Sequence, residues 1–397
     1  MRTSKLLFWV LFLSFFLQQF EYLGLITPLK LYMFATIIGL CFSVMLVFLK
    51  IPRYPAYVYT VGVFYMYILL TVLWADVQSV AIVRALGILL LVASYFSLTT
   101  LYLAEPHLLR RSLFLRMSYA YLLVSLFWYL LGCYLYYVVG VETGDGIERK
   151  LNGLYMEGLV PRMKGFADSP NNFILLLLPI YYFSITLFRD ISKKLLFLIL
   201  ICLLFTLSMT GYIVFVIASL ILLLLQSFRV KVVVSLTVLL LLLIGYWFYL
   251  NSEFVTSIID TRVSRITTGS GRYDLFEYSF SIVKESPLFG HGLAQARMFL
   301  EGFGDRNLQS THNSFIEVSF EGGMVGLCLF LLSWLSIFIY ILNIKVSKSV
   351  KLNLFSYLLS LFIISNANLM VYVELMVFNF FCIWYISQQC KKIYRNG

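Results

Sequence analysis

The chain has 397 residues, of which 61% are hydrophobic, 18% aromatic and only 12% charged, with a net charge of +11 and a mean hydropathy of +0.91. A soluble domain carries about 25% charged residues, so a water-soluble globular fold is excluded; the recurring apolar runs of about 20 residues read as membrane-spanning helices. In such a protein Lys and Arg report orientation, so the positive charge does not point to nucleic acid.

The first stretch, MRTSKLLFWVLFLSFFLQQF, imitates a signal peptide, with a basic start and then an apolar run. The small-x-small cleavage site is missing, because the run ends in Gln18, Gln19, Phe20 and Glu21, so it reads as a retained first helix. Twelve spans are expected, near 5–20, 29–49, 57–74, 82–103, 114–139, 171–188, 195–209, 211–226, 232–250, 314–342, 352–368 and 370–388. The short connectors RDISKK, SFRVK and NIKVSKSVK are basic, whereas ITP, ADVQS, SMTG and NANL are not. Short connectors set orientation. Both termini are therefore expected in the cytoplasm, and segments 140–170 and 251–313 on the outer, periplasmic side. Residues 1–397 read as a single polytopic, all-α membrane domain. The six cysteines lie mostly within apolar runs, form no CxxC pair and read as small buried hydrophobes.

Segment 251–313 contains the longest run that cannot sit in a bilayer. Ser270 reads as the cap of a helix starting at Gly271, and Ser286-Pro287 as its end. On that helix Arg272, Phe276, Phe280 and Val283 share a face. Arg272 sits in the first turn, where the helix dipole favours an anion. It reads either as a cation aimed into a membrane-edge cleft to meet a phosphate, or as a snorkelling Arg on a surface helix. His312, just before an apolar helix, reads either as a base for a hydroxyl near neutral pH or as an ordinary polar residue at a helix start. Glu317 and Glu321 follow one turn apart, at a depth that demands a partner; a structural salt bridge to an Arg of another segment is the plain role. Gly323 and Gly326 leave room for a neighbouring helix.

In segment 140–170 the Asp168-Ser169-Pro170-Asn171 turn delivers the chain into the next span. It brings Arg162 and Lys164 near the outer boundary, and Arg84 lies near the outer end of the fourth span. Several cations at one level suit a lipid diphosphate, although each alone suits a lipid headgroup. The sequence has no P-loop, no HExxH and no acidic cluster of metal-site type, so neither ATP hydrolysis nor zinc proteolysis is indicated.

His312-Asn313, nine residues, Gly323, two residues and Gly326 resemble the H[NSQ]x9GxxG signature of the O-antigen ligase superfamily. RYDLFEYSFSIVKESPLFGHG resembles that superfamily's Arg, aromatic-rich helix and P-L-x-G-x-G turn. PRMKGFADSPNNF resembles its R-x-x-G-F-x-x-x-PN element. The layout resembles it over residues 75–385, with the specific motifs in 160–330. The resemblance implies a multi-pass enzyme of the bacterial inner membrane that moves a glycan from undecaprenyl diphosphate to a hydroxyl at the periplasmic face; the absence of a carboxylate cluster in the sequence agrees with a reaction expected to need no metal or cofactor. With such a donor, the chemistry calls for His312 to act as base or orient the acceptor and for Arg272, also a catalytic candidate, Arg162, Lys164 and Arg84 to offset the diphosphate charge, with Glu321, Glu317, Asp168, Gly323 and Gly326 in support.

One departure is plain. Many members carry a Ser-Arg-Thr-Gly turn whose Arg is taken as a diphosphate ligand, and here the turn reads Ser208-Met209-Thr210-Gly211; Arg162 or Lys164 would substitute. Within the superfamily a repeat-unit polymerase is expected, with an O-antigen ligase as the alternative and a non-catalytic polysaccharide or lipid transporter as the reading from another class. The partners implied are the undecaprenyl-linked donor and acceptor, membrane lipids, and the chain-length regulator and flippase of the same pathway.

Overall fold

The computed structural model describes residues 2–18, 21–22, 29–49, 54–104, 111–141, 148–157, 160–187, 193–224, scattered positions between 229 and 260, 272–300 and 311–396. Its helices in chain order are α1 (Arg2–Ser14), α2 (Leu31–Leu49), α3 (Ala56–Leu70, prolonged by a 3-10 turn to Trp74), α4 (Gln78–Ala104), α5 (Arg111–Tyr134, ending in a π turn to Val139), α6 (Pro170–Thr186), α7 (Lys193–Thr206), α8 (Met209–Leu223), α9 (Arg272–Val283), α10 (Ala296–Leu300), α11 (Ser314–Asn343), α12 (Lys348–Ala367) and α13 (Glu374–Asn396). Each expected span overlaps one of these helices in part, except that near 232–250, which lies mostly outside the described residues.

Five stretches are long and apolar enough to cross a membrane: Ala56–Trp74, Gln78–Ala104, Ser112–Val139, Ser314–Asn343 and Lys348–Ala367. Apolar stretches in α1, α2 and α8 are shorter. Met66, Leu73, Phe127, Phe197 and Leu220 are each more than half exposed. Apolar surface of this extent would drive association in water but fits hydrocarbon around a bundle.

The all-α expectation needs one addition. Part of segment 140–170 is an antiparallel meander of β3 (Glu148–Leu151), β4 (Leu154–Glu157) and β5 (Val160–Met163), and a two-residue pair, β1 (Glu21–Tyr22) with β2 (Leu29–Lys30), joins α1 to α2. The meander is anchored on α5, where a Cβ at Gly153 would meet the Tyr129 nitrogen at 2.6 Å. Leu154 and Met156 are buried there.

The core centres on α6, which is buried along almost its whole length. Pro179 interrupts it and cannot donate to the Leu175 carbonyl four residues back. Asn379 of α13 takes up that carbonyl through Nδ2 (3.1 Å), while its Oδ1 accepts from the Tyr357 hydroxyl of α12 (2.6 Å). One amide thus satisfies a backbone group that lipid could not and joins α6, α12 and α13.

Candidate functional site

Four helices, α6, α8, α11 and α13, begin at one end of the bundle, and side chains at or beside their first residues bind one another. Ser169 caps α6 by accepting from the Asn172 N–H (3.2 Å), and Ser208 caps α8 by accepting from the Gly211 N–H (3.2 Å). The Ser208 hydroxyl donates to Asn171 Oδ1 (2.7 Å), and Asn171 Nδ2 donates to Asn368 Oδ1 (2.8 Å). Ser314, the first residue of α11, donates to the Asn368 carbonyl (3.0 Å). At α13, Glu374 Oε1 accepts from Lys30 Nζ (2.9 Å) and Gln18 Nε2 (2.6 Å), and Lys30 also pairs with Asp168. Burial pushes the Lys30 ammonium down, but the charges of Glu374 and Asp168 outweigh it and hold its pKa above the ordinary lysine value.

His312 stands at the head of α11. Asn313 is the cap, its Oδ1 accepting from the N–H groups of Phe315 (2.9 Å) and Ile316 (3.2 Å). His312 itself has a left-handed backbone (φ 53°) and is exposed. Its neighbour Thr311 is held from below by Glu317, whose Oε2 accepts from the Thr311 N–H (2.9 Å) and hydroxyl (2.8 Å). Glu317 is buried, so its carboxylate is spent on the His312 loop. His312 is thereby held at an exposed position by a tied turn.

Deeper in α11 the helix breaks at Gly323 (φ 63°, ψ −162°). The backbone groups freed by the break are taken up by the turn Pro287–Gly292. The His291 N–H donates to the Phe320 carbonyl (2.9 Å), Gly292 N–H to Glu321 (2.9 Å), Met324 N–H to the Pro287 carbonyl (2.9 Å) and Val325 N–H to Leu288 (3.2 Å). A Cβ at Gly323 would run into the Leu288 carbonyl, and one at Gly290 would lie 2.5 Å from that of Glu321. The expectation that Gly323 admits a neighbouring helix is therefore corrected: it admits a turn. Gly326 does face a helix, with Tyr67 of α3 against it. His291 is part of this splint, its Nε2 donating to the Ile282 carbonyl (3.0 Å) and its ring lying against Phe299 and Phe320.

Glu321 is fully buried and accepts from the Ala294 N–H (2.8 Å) and from the Tyr372 hydroxyl. Arg84 is exposed, with its guanidinium 5.6 Å from the centre of the Tyr372 ring. It acts electrostatically on both Glu317 and Glu321. The Arg expected beside these carboxylates is thus Arg84, across Tyr372 and not in a direct ion pair among the described contacts.

Arg162 is buried. Its Nη1 pairs with Glu157 Oε2 (2.7 Å) and its Nε donates to the Thr206 carbonyl at the end of α7 (3.0 Å). Lys164 is also buried and donates to the Ala167 carbonyl (3.3 Å), in the turn that leads to Asp168 and the α6 cap. Arg272 opens α9, but its side chain, with Ser270 and Gly271, lies outside the described residues. The buried stripe of α9 is Leu275, Ser279 and Ile282, whereas Phe280 is 52% exposed. Of the face read through Phe276, Phe280 and Val283, Val283 packs beside the cluster of Ile282, Ala296 and Phe320, whereas Phe280 is turned to the surface.

Sequence reasoning missed Thr311, Asn368, Tyr372, Lys30 and Glu374. A signal existed for Lys30, a lysine at the edge of the otherwise uncharged connector ITP. Among the described residues no three His, Cys, Asp or Glu side chains gather as a metal site would require.

The helices and this end of the bundle define a multi-pass membrane protein with a polar, cation-bearing site at the helix starts. Residues 195–331 match the family model described as O-Antigen ligase. The match spans α7 to the first half of α11, including His312, Glu317, Glu321, Gly323 and Gly326, and bears out the resemblance to the O-antigen ligase and polymerase superfamily. It supports a membrane enzyme of O-antigen or polysaccharide assembly. The comparison with curated proteins gives no match.

Proposed function

We propose that the chain is a glycosyltransferase that polymerises undecaprenyl-diphosphate-linked repeat units, with the helix-start end of the bundle facing the periplasm of the bacterial inner membrane and both termini in the cytoplasm. The observation that carries the reading is the exposed His312, fixed by Thr311, Asn313 and Glu317 at the same end as four helix starts and the cations Lys164 and Arg84. In the reaction the acceptor hydroxyl oxygen attacks the anomeric carbon of the donor sugar and loses its proton to His312. The bond from that carbon to the diphosphate oxygen breaks, and undecaprenyl diphosphate leaves with the bond electrons. Arg272, Lys164 and Arg84 offset its negative charge, as cations do for departing phosphates. Arg162, already engaged by Glu157, holds the meander to α7. Because the leaving group departs as a stabilised anion, the step is proposed to run without a metal.

Two basic clusters, Arg149 to Lys164 and Arg262 to Arg306, favour two lipid diphosphates and hence a polymerase, whose donor and acceptor are both lipid-linked; the second cluster lies largely outside the described residues. A flippase and a chain-length regulator would be its partners. Deleting the gene in its host is expected to leave surface glycan of one repeat, without a long ladder on a gel. Long glycan accumulating on undecaprenyl diphosphate, with bare lipid A-core, would make the protein a ligase instead.

A further inference from the structure

We infer that Asn368 is a ligand for a phosphate oxygen of the lipid-linked substrate, at a site formed where α6, α8 and α11 begin. The inference rests on the transferase reading only for what the phosphate carries.

The direction of the hydrogen-bond chain leads to it. The Ser208 hydroxyl accepts from the Gly211 N–H, so it gives its proton to Asn171 Oδ1. Asn171 must then donate through Nδ2, and it does so to Asn368 Oδ1. The Asn368 carbonyl is meanwhile occupied by the Ser314 hydroxyl. That leaves Asn368 Nδ2 with no hydrogen-bond partner, on a residue only 7% exposed. A buried amide nitrogen without an acceptor is uncommon and calls for an explanation.

The surroundings state what kind of acceptor fits. Asn368 is bound to the second residue of α6 and the first of α11, and through Asn171 to the cap of α8. Helix starts carry partial positive charge and favour anions. The side-chain amide oxygens at this junction already accept hydrogen bonds, Asn171 Oδ1 from Ser208, Asn368 Oδ1 from Asn171, and Asn313 Oδ1 from Phe315 and Ile316, whereas Asn368 Nδ2 donates to none. A sugar hydroxyl would want an acceptor as well as a donor, whereas a phosphate oxygen wants donors alone. Lys164, buried in the turn before α6, brings an amine donor to the same end of the bundle.

The test uses purified full-length protein in lipid nanodiscs, with farnesyl diphosphate, inorganic pyrophosphate and farnesol as probes and binding read by calorimetry. Wild type is expected to bind both diphosphates more tightly than farnesol. Asn368→Ala should weaken diphosphate binding about tenfold, the value of one hydrogen bond to a charged group. Asn368→Asp, similar in shape but acceptor-only, should weaken it about a hundredfold or more. Farnesol binding should not change. Every variant keeps the backbone contact to Ser314; elution profile and melting temperature without probe show whether each is folded, and Asn368→Ala decides if Asn368→Asp is not. A preference for farnesyl diphosphate over pyrophosphate would mark the lipid carrier, and equal binding a free diphosphate. Unchanged diphosphate affinity in a folded Asn368 variant, or a wild type that binds neither diphosphate, overturns the site. Because no glycan is transferred in this assay, failure of the polymerase reading would leave its result intact.

Discussion

Replacing His312 by alanine is expected to lower glycan transfer by about 100- to 10,000-fold, the range for removing a general base, while membrane protein level and melting temperature stay near wild type. The expectation follows from where the residue sits. His312 is exposed, and the loop around it is tied by others: Thr311 to Glu317, and Asn313 to the first turn of α11. Its left-handed backbone is a conformation that histidine and asparagine tolerate better than most residues, so His312→Asn is the matched control. It preserves the turn and lacks a titratable nitrogen. Transfer assayed in membranes, beside quantified protein, separates the outcomes. Loss of protein in both variants would make His312 a structural residue, and full activity in His312→Asn would remove it from the chemistry.

Gly323→Ala should be the most damaging single change to the fold at this site. The position has φ 63°, and a side chain would strike the Leu288 carbonyl, which itself accepts from the Val325 N–H. A strained backbone costs about 1–3 kcal/mol and forced overpacking about 1–3 kcal/mol more, and backbone has no rotamer with which to yield. The damage should spread, because the turn Pro287–Gly292 also leads to Ala294, whose N–H is one of the donors to Glu321. Gly326→Ala is the comparison: its Cβ would lie 3.2 Å from the Tyr67 ring, a side chain able to move a few tenths of an ångström. Thermal melting in detergent should show a large drop for Gly323→Ala and a small one for Gly326→Ala. Equal melting would mean that the break in α11 is not held by the turn.

The helices were legible in the sequence because apolar length is a signal that each segment carries alone. The His312-Asn313 motif and the Pro287–Gly292 turn were also legible, but only as separate motifs. What joins them is backbone to backbone, between the turn and Phe320 to Val325, and such bonds leave no mark in side-chain pattern beyond the glycines that permit them. The face of α9 was misread at Phe280 because aromatic residues surround that helix, and periodicity does not say which of two adjacent stripes finds a neighbour. The meander at residues 148–163 escaped notice because its strands are four residues long and Leu154, Tyr155 and Met156 are buried in succession, without the alternation that marks a strand. Arg162 read as a cation at the boundary, yet Glu157, five residues earlier on the neighbouring strand β4, reaches it diagonally, two residues beyond its cross-strand partner Tyr155. The charge of Lys30 ran against the orientation rule, and the two carboxylates that hold it, Asp168 and Glu374, are far away in sequence.

The most direct test of the account is reconstitution. Purified protein in proteoliposomes, given undecaprenyl-diphosphate-linked single repeats in the presence of EDTA, should produce a glycan ladder and release undecaprenyl diphosphate with each addition. The His312→Ala protein should produce neither. Wild-type protein that leaves the single repeats unjoined and releases no undecaprenyl diphosphate would contradict the account.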